Sequence, residues 1–384
     1  MYTIKTLNKI AAIGTDNFDA ANYTISDTAA NADAVLVRSA SMLDAEFNPE
    51  LIAIARAGAG VNNIPVERCS EAGICVFNTP GANANAVKEL AVAGLLMASR
   101  RIPDAIDWAK TLKGKGAEVG KLVEKGKGDF VGPEIAGKTL GLVGLGAIGG
   151  KIANAAIALG MKVIGFDPFL SVSSALHIDP AVKVTANKNE LYANADYLSL
   201  HLPYNKETKE SINADTFALM KDGVRILNFA RGELVNDADM LNALESGKIA
   251  RYVTDFPTDE LIGAKNVIAI PHLGASTPES EDNCAYMAAI QLIDYIENGN
   301  ITNSVNLPNA SLPKTGDVLI CVIHKNVPAT ISQITSAISD SGANIENLVN
   351  KSSKEWAYTM LDVTGTPDIS KIESIPGIVR VRAL

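Results

Sequence analysis

Three side chains of this 384-residue chain could together handle a proton and an anionic substrate: Arg231, His272 and an acid, Glu260 or Asp259. Of four histidines, His177, His201, His272 and His324, His272 lies between Pro271 and Leu273-Gly-Ala-Ser-Thr, just past the apolar run Val267-Ile-Ala-Ile270, at the carboxyl end of an expected parallel strand. Imidazole titrates near neutrality, so it can take the proton of an alcohol in one direction and return it in the other. A neighbouring carboxylate would favour the protonated ring and fix its orientation. Glu260 and Asp259 both lie in the loop after Tyr252-Val-Thr-Asp255, and either fits. Arg231, in Asn228-Phe-Ala-Arg-Gly232, offers a planar fork that grips a carboxylate with two hydrogen bonds. Each of the three follows a segment with the length and apolarity of a buried parallel strand. In doubly wound folds the carboxyl ends of such strands line the cleft.

An alcohol oxidised with His272 taking its proton must also give up a hydride, and the chain carries a motif for a hydride carrier. The apolar run Thr139-Leu-Gly-Leu-Val leads into Gly144-x-Gly146-x-x-Gly149 and then into a helix. Gly144 permits a tight turn, Gly146 lets backbone approach a pyrophosphate, and Gly149 lets the helix pack on its strand. The first helical amides, at Ala147 and Ile148, then face the anion. Asp167 closes the next strand, Lys162-Val-Ile-Gly-Phe, where a ribose diol would sit. Its charge would repel a 2′-phosphate, so NAD is expected rather than NADP. The simpler role for Asp167 is to start the turn at Pro168. Ala230 and Asp255, at two further strand ends, complete the expected cofactor contacts.

A net charge of −9 disfavours nucleic acid and anionic membranes as general partners, so an anionic substrate needs a local cluster of arginines. The four cysteines show no metal-binding or CxxC spacing and suit a reducing compartment. No run reaches the roughly 18 apolar residues of a membrane span, and the expectation is a soluble, cytoplasmic protein without a bound metal. With 47% hydrophobic residues there is material for more than one core. The pattern of strands and helices predicts an α/β chain: two Rossmann-like doubly wound parallel lobes, then a βαββαβ module. The expected boundaries are 1–92 with 279–305 for a first lobe, 93–278 for the nucleotide lobe, 306–316 for a linker and 317–384 for the module. The lysine-rich stretch from Lys110 to Lys127 reads as a solvated surface segment.

Taken together, the glycine turn, Asp167, Asn228-Phe-Ala-Arg-Gly232, the acidic loop and Pro271-His-Leu-Gly-Ala-Ser-Thr resemble the D-isomer-specific 2-hydroxyacid dehydrogenases from end to end. The resemblance implies Arg231 for carboxylate orientation, Glu260 as the partner of His272, and His272 as proton donor and acceptor. Counting from Arg231 without a gap selects Glu260, and closing a one-residue gap selects Asp259. Val37-Arg38-Ser39-Ala40, Ala55-Arg56-Ala57-Gly58 and Asn78-Thr-Pro-Gly-Ala-Asn83 resemble substrate-binding segments, which brings over Arg38, Arg56, Gly58 and Asn83. Two extra guanidiniums suit a phosphate, so the expected reaction is oxidation of 3-phospho-D-glycerate to 3-phosphohydroxypyruvate, the entry to serine synthesis. Glycerate, lactate or a larger hydroxy acid is the alternative substrate, and a non-catalytic NAD sensor is the alternative role. The resemblance further implies a homodimer or homotetramer. The terminal module resembles an ACT domain, with His324, Asn326 and Asn344 at serine-binding positions and Ala329 where a glycine often stands.

Overall fold

The computed structural model describes all residues, Met1–Leu384. They group into two compact units, Met1–Asn83 with Pro278–Leu384, and Ala84–Thr277.

The first unit opens with a parallel sheet in the order β2-β1-β3-β4-β5. Its strands are β1 (Tyr2–Leu7), β2 (Tyr23–Ser26), β3 (Ala34–Val37), β4 (Ala53–Arg56) and β5 (Cys75–Phe77). All four residues of β3 and all three of β5 are buried, as unbroken apolar runs covered on both faces must be. The helix Pro278–Asn298 belongs to this unit. Its Ala288, Ala289, Leu292, Tyr295 and Ile296 share one core with Leu36, Ala53, Ala55 and Phe77.

The second unit is a seven-stranded parallel sheet, order β12-β11-β10-β9-β6-β7-β8. Its strands are β6 (Thr139–Val143), β7 (Lys162–Phe166), β8 (Lys183–Val184), β9 (Tyr197–Leu200), β10 (Val224–Asn228), β11 (Ile249–Thr254) and β12 (Val267–Ala269). Strand order reverses between β6 and β9, the switch point at which such sheets open a crevice. On one face the helices Ala84–Arg100 and Ala147–Ala158 close a core of Val87, Ala91, Leu95, Ile152, Ala153 and Ala156 over Leu140, Leu142 and Leu227.

The chain ends in β13 (Val318–Lys325), β14 (Asn344–Ser353), β15 (Trp356–Thr364) and β16 (Ile378–Ala383), an antiparallel sheet ordered β14-β15-β13-β16. With the helices Thr330–Ser339 and Ile369–Glu373 it forms the expected βαββαβ plait. One sheet face packs on those helices through Ile320, Val322, Leu361 and Val363. The opposite face, Leu319, Cys321, Ile323, Tyr358 and Met360, joins the core of the first unit. Arg382 reinforces the join by donating to the carbonyls of Tyr295 (3.0 Å) and Ile296 (2.7 Å), in the last turn of the helix Pro278–Asn298. The segment expected to be a linker is packed as well. Leu307, Ala310 and Leu312 are buried, and Asn306 bonds Val76 N–H and the Ile74 carbonyl at the edge of the first sheet. No helix is long and apolar enough to cross a membrane.

Candidate functional site

The glycine turn has the form its sequence requires. Gly144 lies at φ +99° with its Cα so close to the next strand's end that a Cβ would stand 2.3 Å from the His201 carbonyl oxygen. A Cβ on Gly149 would stand 2.0 Å from the Gly144 carbonyl oxygen, so only glycine lets the helix approach. Gly146 is the N-cap of the helix Ala147–Ala158 and makes no side-chain cap. Space above it is open, since an added Cβ would meet nothing within 4 Å. Amides at a helix start, uncapped and beneath open space, fit a pyrophosphate. Asp167 accepts the Leu145 amide at 2.9 Å and the Phe169 amide at 2.9 Å. It therefore starts the Pro168 turn and also fixes a carboxylate at the mouth of the glycine turn, where a ribose is expected.

His201 seals the floor of the turn. Ser199 Oγ lies 2.8 Å from its Nε2, and burial pushes the imidazole down to about 3, so the ring stays neutral.

Arg231, Asp255 and His272 follow β10, β11 and β12, adjacent strands of one parallel sheet. Buried Asn228 shapes the first of these ends. Its Nδ2 donates to the Arg231 carbonyl (2.8 Å) and to the Tyr252 hydroxyl (3.3 Å), while its Oδ1 accepts the Ala230 amide (3.2 Å). Arg231 is held exposed at the tip, its Nη1 donating to the Ala230 carbonyl at 2.6 Å. Thr254 Oγ1 accepts the Phe256 amide at 3.1 Å and starts the second loop. The Phe256 ring lies 4.6 Å from the His272 ring, centroid to centroid, and the Phe256 Cβ stands 3.2 Å from where a Cβ on Gly232 would be. Arg231, the acidic loop and His272 thus lie on three neighbouring loops.

Asp255 is 1% exposed, and burial pushes its carboxyl up to about 6, against the opposing pull of its hydrogen bond from the Gly274 amide and the Arg231 charge. Its Oδ1 is buried without a hydrogen-bond partner. An acceptor left open in that way fits the carboxamide of a nicotinamide. Glu260 is exposed; burial raises the Asp237 carboxyl, whose Oδ2 accepts Thr258 Oγ1 at 2.9 Å, and the Glu260 charge adds to the rise. Asp259 is exposed in the same loop.

In the first unit Arg38 and Arg56 leave the carboxyl ends of adjacent strands, β3 and β4. Arg56 Nε donates to the Arg38 carbonyl at 3.1 Å. A Cβ on Gly58 would stand 2.5 Å from Arg56 Nη1, so the missing side chain makes room for the guanidinium. Asn83 Oδ1 is buried and has no hydrogen-bond partner. The three serine-site candidates do not come together. His324 is 2% exposed at the carboxyl end of β13, engaged with the Lys325 carbonyl and Thr359 Oγ1 at 2.8 Å each, and Asn326 follows it. Asn344 opens β14 beside Thr364, at the opposite edge of the sheet.

A glycine turn ready for a dinucleotide and a cation, an acid and an imidazole on consecutive strand ends define a nucleotide-binding lobe of the dehydrogenase type. A family model described as the D-isomer specific 2-hydroxyacid dehydrogenase NAD binding domain matches residues 92–274. D-3-phosphoglycerate dehydrogenase of Escherichia coli (strain K12) is 31% identical over 351 residues, covering 87% of this chain and 82% of its own. The Homo sapiens D-3-phosphoglycerate dehydrogenase is 35% identical over 297 residues, 74% of this chain but 53% of its own length. The chain thus spans about half the length of the first curated relatives it matches. An NAD+-bound 3-phosphoglycerate dehydrogenase of Entamoeba histolytica has the same fold, with a TM-score of 0.62 at 26% identity, covering 81% of this chain and 99% of that one. The chain belongs to the D-isomer-specific 2-hydroxyacid dehydrogenase family, and its nucleotide lobe is that family's NAD-binding domain.

Proposed function

We propose that this protein oxidises 3-phospho-D-glycerate to 3-phosphohydroxypyruvate with NAD. What carries the reading is the alignment of Arg231, Asp255 and His272 on three adjacent strand ends, in a chain 31% identical to a D-3-phosphoglycerate dehydrogenase over 82% of that relative. NAD, when bound, supplies the acceptor for the substrate's hydride. Gly144, Gly146, Ala147, Ile148 and Gly149 hold its pyrophosphate, Asp167 its ribose, and Ala230 and Asp255 its nicotinamide end. His272 takes the hydroxyl proton on Nε2 or Nδ1, Glu260 favours the protonated ring, and Arg231 grips the carboxylate and polarises the carbon that gives up hydride. The Phe256 ring packs at a tilt against the imidazole, which is itself exposed, and restricts its orientation. Arg38 and Arg56, with Gly58 and Asn83, supply the first lobe's affinity for the phosphate.

The first lobe, expected as 1–92 with 279–305, is accordingly the substrate lobe and 93–278 the cofactor lobe, with the boundary between them moved back to Asn83/Ala84 because the helix Ala84–Arg100 belongs to the second unit, and 317–384 is an ACT-like module after the strap 306–316. Exposed Ile102, Ile106, Val123 and Val131 on one arm of the cofactor lobe support a homodimer, measurable by light scattering. A serine site needs groups from both edges of the module's sheet, so it would form only from two copies. The deciding experiment is NADH absorbance with 3-phosphoglycerate, D-glycerate or D-lactate as substrate, with and without serine. Equal turnover of the unphosphorylated acids would move the assignment to another D-2-hydroxy acid, and no turnover of any would leave a NAD-binding protein.

A further inference from the structure

We infer that Glu281 sets the anion affinity of the first lobe by competing with the ligand for Arg38. The inference rests on the assignment of Arg38 and Arg56 to phosphate binding. Glu281 Oε1 lies 2.7 Å from Arg38 Nη2, and the two side chains are 43% and 38% exposed. The pair is therefore open to solvent and readily parted. Arg56 stands next to it, anchored on the Arg38 carbonyl. The strand ends thus present two guanidiniums, and a carboxylate engages that of Arg38.

The backbone that carries Glu281 is held in place. This residue sits in the first turn of the helix Pro278–Asn298, and that helix is tied to the turn after β5 by Asn283 Nδ2 to the Ala82 carbonyl (3.5 Å) and Gln291 Nε2 to the Asn78 carbonyl (3.0 Å). A phosphate that takes Arg38 therefore gains a guanidinium but keeps the Glu281 charge within a side chain's reach. Repulsion grows with ligand charge, so a phosphate dianion suffers more than a ligand ending in a hydroxymethyl group. Glu281 acts through Arg38 and is a positioning residue, not a catalytic one.

The test is a double-mutant cycle of E281Q and R38A in the full chain, read by inorganic phosphate affinity and by steady-state kinetics with 3-phosphoglycerate and D-glycerate. E281Q should tighten phosphate and lower the 3-phosphoglycerate KM about three- to tenfold, with kcat and the D-glycerate KM within about twofold of wild type. In the R38A background the same substitution should change none of these. Unchanged or weaker phosphate affinity in E281Q, or an equal gain without Arg38, overturns the inference. Tighter phosphate binding without turnover of 3-phosphoglycerate by any form would uphold it and remove the substrate assignment instead. Turnover by wild type with an unmoved KM in E281Q would do the reverse.

Discussion

The cofactor lobe and the C-terminal module both carry polar side chains at strand ends, and only in the lobe do they meet. Direction explains the difference. In a parallel sheet every carboxyl end lies on one edge, so Arg231, Asp255 and His272 become neighbours once β10, β11 and β12 pair. In the plait, the carboxyl end of β13 and the amino end of β14 lie at opposite edges, and His324 and Asn344 go with them. The two regions also treat a buried acid differently. Asp362 of the module accepts the amides of Thr315 and Gly316, the Thr315 hydroxyl and Asn347 Nδ2, which holds its carboxyl down at about 2. Asp255 is equally buried but has an oxygen with no partner, and is pushed up to about 6. Saturated acids hold a fold together, whereas an acid left open marks a place for a ligand.

The hardest test of the lobe's convergence is His272→Ala. If the imidazole carries the proton, kcat should fall by roughly 10²–10⁴-fold while NAD binding persists. Stopped-flow NADH formation checks this, and unchanged turnover would remove His272 from the mechanism. Next comes Asn228→Ala, which strips the buried amide that shapes the Arg231 turn and leaves the Ala230 amide and Tyr252 hydroxyl short of partners. The expected loss is about 1–3 kcal/mol of stability together with a raised substrate KM. If stability falls but KM does not, Asn228 is structural only and Arg231 is placed by other means.

Much of this was legible in the sequence because the informative segments are long or chemically restrictive. The glycine turn could be read since two of its glycines admit no Cβ, and the strands since buried parallel strands are unbroken apolar runs. β2, with the two central residues of its four exposed, and two-residue β8 have no such run. In the sequence Asn228 stands out only as a neighbour of Arg231. Its role depends on hydrogen bonds made three and 24 residues away, which no local pattern reports, although an asparagine closing an apolar strand is itself a signal. The strap 306–316 misled for the opposite reason. Its Asn, Pro and Ser look like linker chemistry, but here the asparagine side chain substitutes for a missing strand partner at β5. The sheet direction that separates His324 from Asn344 followed from the plait itself, and motif matching alone concealed it.

The contrast between the two acids can be sharpened by pH. Between about pH 4 and 6 the folded chain binds more protons at Asp255 than the unfolded chain does, so stability from this group falls as pH rises and the deficit is complete above about 6. Asp255→Asn should therefore raise stability by about 1–3 kcal/mol at pH 8 and leave it nearly unchanged at pH 4. Asp362 runs the other way, since its stabilisation is present above about pH 4 and is lost as pH falls toward 2. Thermal melts of D255N and wild type at both pH values measure the first effect, and equal shifts at pH 4 and 8 would show that the gain is not one of ionisation.

The smallest expected effect is in the module. Ala329 sits at φ +68° as the N-cap of the helix Thr330–Ser339 and makes no side-chain cap. A left-handed backbone crowds any Cβ against the neighbouring carbonyl, which is the physical reason a glycine suits this place. Ala329→Gly relieves that crowding in the folded chain but adds freedom to the unfolded one. The first effect is about 1–2 kcal/mol and the second about 0.4–1 kcal/mol, so the net gain should be on the order of 1 kcal/mol or less. Urea unfolding of the full chain is the measurement. A loss of stability would mean that the left-handed turn is held by its surroundings at no cost to alanine, and the departure from glycine at this position would then have no energetic meaning.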